Sequence, residues 1–233
     1  MMSKILTGLT ILFLCSCNDR DQTSVPLILP GSLEGRRAEL TKYVNSARQN
    51  IRTFSNRFGW KNLAEEEFVD RVMIFDDKSR FNINLLKIAG ADTLMELPET
   101  FCAALENRTL MAMTPEYYSR VYPEGVEKNS YEKLLTHEIA HRLHIRILAG
   151  NEEAMGPVWF YEGFATYAAN QFSRSKTDLT KEEMISIMED PERGSYVKYN
   201  YLFRYFVERV PLQELIARAG NNHFNDELIS MID

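Results

Sequence analysis

The stretch "THEIAHRLH" at 136–144 holds three of the chain's four histidines, with Glu138 directly after the first. Its spacing restricts the fold more than any other feature. His137 and His141 stand four residues apart, so a helix stacks them on one face with Cβ atoms about 5–6 Å apart. Two imidazole nitrogens on that face reach a single ion at about 2.0–2.1 Å. Glu138 then stands where its carboxylate reaches a metal-bound water without ligating the metal, the H-E-x-x-H arrangement. Leu135, Ile139 and Leu143 form an apolar stripe on a different face, which anchors the same helix to a core.

A catalytic zinc takes three protein ligands and leaves a fourth position open. The pattern H-E-x-x-H-x-x-G-x-x-H would supply a third histidine from the same stretch. Here its glycine slot is His144 and its last slot is Ile147, so that version fails. A straight helix cannot bend three successive turns round one ion, so His144 is expected to wall the cleft or back a ligand. The favoured third ligand is Glu162, on the helix predicted for "VWFYEGFATYAANQF" at 158–172. The connection from Gly150 to Pro157 lets this helix fold back antiparallel to the first. Gly163, without a side chain, lets the two backbones approach. Trp159, Phe160, Phe164 and Tyr167 surround Glu162, and a carboxylate among such neighbours needs a cation or a hydrogen-bond partner. Trp159 is a further candidate for the cleft wall.

"HEIAH" followed by "WFYEGFATY" resembles the gluzincin (peptidase MA-like) zinc metallopeptidases, whose second helix reads W-x-x-E-G-x-A-x-Y. The likeness covers about residues 130–210 and, more loosely, the strands before them. It implies a zincin-like α+β fold, in which a small mixed sheet precedes a mainly helical half. It implies one zinc ion per chain on His137, His141 and Glu162, with Glu138 as general base. It also implies a tyrosine that donates to the oxyanion. "YVKYNYLFRYF", from Tyr196 to Phe206, places Tyr196 in that slot, with Tyr199 as a rival where the family usually has glycine. The strand at 109–113 resembles the family's edge strand, along which substrate backbone pairs. No G-x-M-E-N-type motif of the exopeptidases stands there, which points to an endopeptidase acting on peptides or proteins. Two alternatives are a non-catalytic zinc-binding lipoprotein serving as an interaction module and a hydrolase of a non-peptide bond.

The N-terminus "MMSKILTGLTILFLCSC" has Lys4, an apolar run from Ile5 to Leu14, and then small residues. That is the layout of a secretory signal, too short for the roughly 20 apolar residues of a membrane span. "LCSC" at 14–17 resembles the lipobox of bacterial lipoproteins, with Cys17 as the lipidated residue. The implied location is the bacterial cell envelope, at a membrane surface, with the lipid as the only membrane contact. Cys102 is then the one remaining thiol and is expected to be a small buried hydrophobe. A formal charge of −6 argues against nucleic acid as a partner.

The domain organisation expected is a signal peptide at 1–17, a flexible tether at 18–32 and a single domain at 33–233. Within that domain, 33–129 is read as helix plus sheet and 130–233 as the helical half. Apolar residues at three- and four-residue steps predict a helix from Leu33 to Phe58, stopped by Gly59. Strands are expected at 68–76 and 109–115, and the stretch 83–92 fits strand or helix equally. Asn129 with Glu132, and Thr180 with Glu183, read as capping boxes. Asp190-Pro191 and Pro211 mark breaks.

Overall fold

A computed structural model describes residues 25–233. The signal stretch, the lipobox with Cys17 and the first part of the expected tether lie outside the described residues. No helix among the described residues is long and apolar enough to cross a membrane.

The chain is a mixed α+β protein with a four-stranded sheet and nine α-helices among the described residues. In chain order the elements begin with β1 (Leu27–Ile28), α1 (Arg37–Arg57), β2 (Arg71–Phe75) and α2 (Lys78–Ala89). β3 (Ala103–Glu106), β4 (Thr109–Met113), α3 (Pro115–Val121), α4 (Ser130–Ile147) and α5 (Val158–Ala168) follow. The chain closes with α6 (Lys181–Glu189), α7 (Tyr196–Val207), α8 (Leu212–Arg218) and α9 (Phe224–Ile229).

The sheet order is β1-β2-β4-β3, with β1, β2 and β4 parallel and β3 antiparallel to β4. Every residue of β4 is buried, which matches its place between two strands and under helices on both sides. The strand expected at an edge is therefore interior. The edge is β3, whose "AALE" has no β-branched or aromatic residue to announce it.

Other boundaries also differ from the sequence pattern. Residues 27–28 pair with Val72 and Met73, and Arg37 donates to the Leu27 carbonyl at 2.7 Å, so the expected tether is structured from Val25 on. Its apolar run from Val25 to Leu29 adds a strand to the sheet. The stretch 83–92 is helix as far as Ala89: Asp77 accepts from the Arg80 amide at 2.7 Å, and Gly90 stops the helix at φ +68°. Thr180 and Glu183 form the expected capping box. Asn129 does not, because it sits at φ +61° and its side chain makes no cap hydrogen bond.

One apolar cluster runs from Leu33 to Ile232 and joins the sheet half to the helical half. α4 is fixed at both ends. The Tyr131 hydroxyl donates to the Met113 carbonyl at 2.7 Å, tying the start of α4 to the end of β4. Near its C-terminus, Arg146 donates to the carbonyls of Leu63, Glu66 and Glu67 at 2.7–2.8 Å. Leu135, Ile139 and Leu143 are fully buried, so the opposite face of the helix turns towards a cleft.

Candidate metal centre

α4 presents His137 and His141 one turn apart, and α5 runs antiparallel beside it. His137 meets Glu162, His141 meets Tyr161 and His144 meets Phe160, the numbers falling on one helix as they rise on the other. The close approach at Gly163 is not to α4, as its place beside Glu162 suggested, but to α7. A Cβ at Gly163 would lie 2.8 Å from the Phe203 Cβ and 3.1 Å from the Tyr199 carbonyl.

His137, His141 and Glu162 come together as a group that can hold a metal ion. His137 Nε2 is 3.1 Å from Glu162 Oε2, His141 Nε2 is 3.5 Å from the same oxygen, and the two Nε2 atoms are 3.2 Å apart. A tetrahedral site with arms of about 2.0–2.1 Å has ligand-to-ligand edges of about 3.3–3.4 Å. The triangle fits that geometry. The same spacing serves an imidazole N–H hydrogen-bonded to Glu162 or a cation held by all three side chains, so the group can hold a metal ion.

Burial works against charge at His137 and Glu162, yet the Glu162 hydrogen bond and charge raise the His137 imidazole above its ordinary pKa. Against its own burial, the two histidines hold the Glu162 carboxyl well below the usual range. Glu138 lines the same cleft, and burial lifts its carboxyl above the ordinary value.

The cleft has a volume of about 780 Å³. Phe101, Ala103, Leu105, Tyr118, Tyr122 and Tyr196 are among its walls. Met113 donates its amide to the Cys102 carbonyl at 2.8 Å. In an antiparallel pair, alternate residues exchange both their hydrogen bonds. Cys102, Ala104 and Glu106 thus turn to β4, while Ala103 and Leu105 offer their N–H and C=O at the open edge, inside the cleft. Cys102 is buried at the start of this edge, where burial and the Glu138 charge push its thiol up to about 12.

The structure separates the two tyrosines. Tyr196 lines the cleft with its ring centroid 5.6 Å from that of His137, and burial raises its phenol well above the ordinary value. The Tyr199 hydroxyl is occupied elsewhere. It donates to the Glu192 carbonyl at 3.1 Å and accepts from the Gly194 amide, so it pins the 190–195 loop and does not face the metal group. His144 and Trp159 do not line the cleft either. His144 is fully buried against Phe160 and Phe164, the latter with ring centroids 4.5 Å apart. Trp159 is buried and stacked on Phe224, and its Nε1 donates to Asn225 Oδ1 at 3.1 Å. Both belong to the core because the helix faces that carry them turn away from the cleft.

Two residues at the site gave no signal in the sequence. Arg193, on the loop held by Tyr199, brings Nη2 to 3.1 Å from Glu162 Oε1. The contact is an ion pair without hydrogen-bond alignment, since Oε1 has no hydrogen-bond partner among the described residues. Gln171 is the second, with Oε1 at 3.0 Å from His137 Nδ1. Both come from loops, where no periodicity marks the direction of a side chain.

Comparison with protein families, with curated proteins and with solved structures finds no match to the chain.

Proposed function

We propose that the protein is a zinc metallopeptidase of the gluzincin type, with a zincin-like fold, that cleaves peptide or protein substrates at the bacterial cell envelope. The observation that carries this reading is the tetrahedral spacing of His137, His141 and Glu162 at the floor of a cleft bordered by an open strand edge. Zinc held there supplies a Lewis acid that polarises a carbonyl and acidifies water.

The chain's own residues do the rest. Ala103 and Leu105 pair with an extended substrate backbone through their free N–H and C=O groups, which lays a scissile carbonyl across the cleft. Glu138 takes the proton of the attacking water and passes it to the leaving amine. Tyr196, held protonated by its surroundings, donates a hydrogen bond to the oxyanion. No covalent intermediate with the protein forms. Glu106 ends the cleft strand but does not line the cleft, so no carboxylate on that strand is placed to hold a substrate's amino terminus. This supports internal cleavage of the substrate.

The test is digestion of a diverse peptide library by the zinc-loaded protein, read by mass spectrometry, beside Glu138→Gln. The variant is expected to keep zinc and lose at least about 100-fold in turnover, within the range for a positioned general base. Cuts made by the parent alone support the reading, and their positions separate internal from terminal cleavage. Equal cutting by parent and variant removes Glu138 as the base. A zinc-loaded, folded parent that makes no cuts favours a non-catalytic zinc-binding module.

A further inference from the structure

We infer that Gln171 is a positioning residue for the metal centre, and that a strained turn at the end of α5 exists to aim its amide oxygen at His137. This rests on the reading of His137, His141 and Glu162 as metal ligands.

His137 turns Nε2 towards Glu162 and His141 and turns Nδ1 towards Gln171, with Oε1 at 3.0 Å. An imidazole that gives its Nε2 lone pair to a metal must carry its proton on Nδ1. That proton needs an acceptor, and a buried amide oxygen supplies it. Gln171 is itself only 6% exposed. Such partners fix the tautomer and ring plane of a ligating histidine. A neutral amide polarises the ring less than a carboxylate would, which leaves His137 the weaker donor and the ion the stronger Lewis acid.

The backbone gives an independent observation. α5 was expected to run to Phe172 but stops at Ala168, and a turn follows. Asn170 and Phe172, on either side of Gln171, sit at φ +52° and +53°. An asparagine tolerates that region, but a bulky aromatic residue there is an outlier that persists only when its surroundings hold it. They do so here. The Gln171 amide donates to the Thr166 carbonyl at 2.9 Å. The Phe172 amide donates to Glu127 Oε1 at 3.0 Å, and the other oxygen of Glu127 accepts from Lys133 at 2.6 Å. Lys133 lies one helical turn before His137 on α4. The turn that presents Gln171 is thus tied to the helix that presents His137. A helix continued regularly through 172 would give up both left-handed residues, and with them the conformation that delivers the amide.

The experiment is competition for zinc between a chelator and the full chain, for the parent, Gln171→Met and Gln171→Glu. The parent is expected to hold one zinc. Gln171→Met keeps the bulk, loses the acceptor and is expected to bind roughly 10–100-fold more weakly, with a cooperative zinc-free melting transition showing that it still folds. Gln171→Glu keeps shape and acceptor and is expected to bind more tightly than the parent. A folded Gln171→Met that binds zinc as the parent does overturns the inference while leaving the metal centre intact. If Gln171→Met does not fold, Gln171→Glu decides: binding no tighter than the parent overturns the inference equally. A parent that binds no zinc removes the metal reading itself, and the inference with it.

Discussion

The histidines of α4 differ in role although they differ little in sequence. His137 and His141 face the cleft, whereas His144 is buried with neither ring nitrogen hydrogen-bonded to any described residue. Burial therefore drops its pKa to about 3. An unfolded chain takes up a proton on His144 near pH 6.5, and the folded chain refuses it until about pH 3. The folded pKa is the lower one, so this group costs nothing above pH 6.5. Below it the group withdraws stability at up to about 1.4 kcal/mol per pH unit. His144→Phe should remove that slope. Urea melts of parent and variant at pH 7.5 and 4.5 check this, with the gap between them expected to shift in the variant's favour at the lower pH. A constant gap would show that the ring finds a partner or water. The His137–His141 spacing and the apolar setting of Glu162 were legible in the sequence because both follow from helix geometry. The fate of His144 was not, because it depends on which side of α4 receives Phe160 and Phe164.

At the scale of elements, α5 is squeezed between α4, with which it builds the metal group, and α7. Gly163 makes the second contact possible. A methyl group there meets the Phe203 Cβ and the Tyr199 carbonyl, which are main chain or attached to it and cannot swing aside. Alanine gains about 1 kcal/mol of helix propensity over glycine, whereas overpacking a core costs about 1–3 kcal/mol. Gly163→Ala is therefore expected to lower stability by up to about 2 kcal/mol, the difference between the two. Because Glu162 is the next residue, the same shift should loosen zinc. Thermal melts and chelator competition on one preparation check both, and a variant at least as stable as the parent would mean that α7 moves freely. The sequence announced α5 and its glycine but not the partner, since α7 lies more than thirty residues further on. β3 was missed for a different reason. An edge strand of alanine and leucine has no β-branched run, while the conspicuous "TLMAM" belongs to the interior of the sheet.

At the scale of the molecule, the cleft forms where the two halves meet. β3 contributes its edge, α4 and α5 the metal group, and the loop before α7 contributes Arg193. The α+β class was legible from the order of patterns along the chain. The sheet order was not, since parallel pairing of β1, β2 and β4 joins segments that share no local signal. This architecture ties metal binding to global stability. Without an ion, Glu162 is a buried carboxylate facing two imidazoles, and one cross-link between α4 and α5 is lost. A ligand that binds only the folded state at 100 times its dissociation constant adds about 2.7 kcal/mol. In a domain of this size that corresponds to about 5–10 °C in melting temperature. Zinc-loaded protein should melt higher than chelator-treated protein by about that amount. His137→Ala should melt at one temperature whether or not zinc is present. Scanning calorimetry of parent and variant, with zinc and with chelator, checks the prediction. A parent whose melting temperature ignores the chelator would mean that the three side chains hold no metal. A variant that still responds would place the stabilising ion at another site.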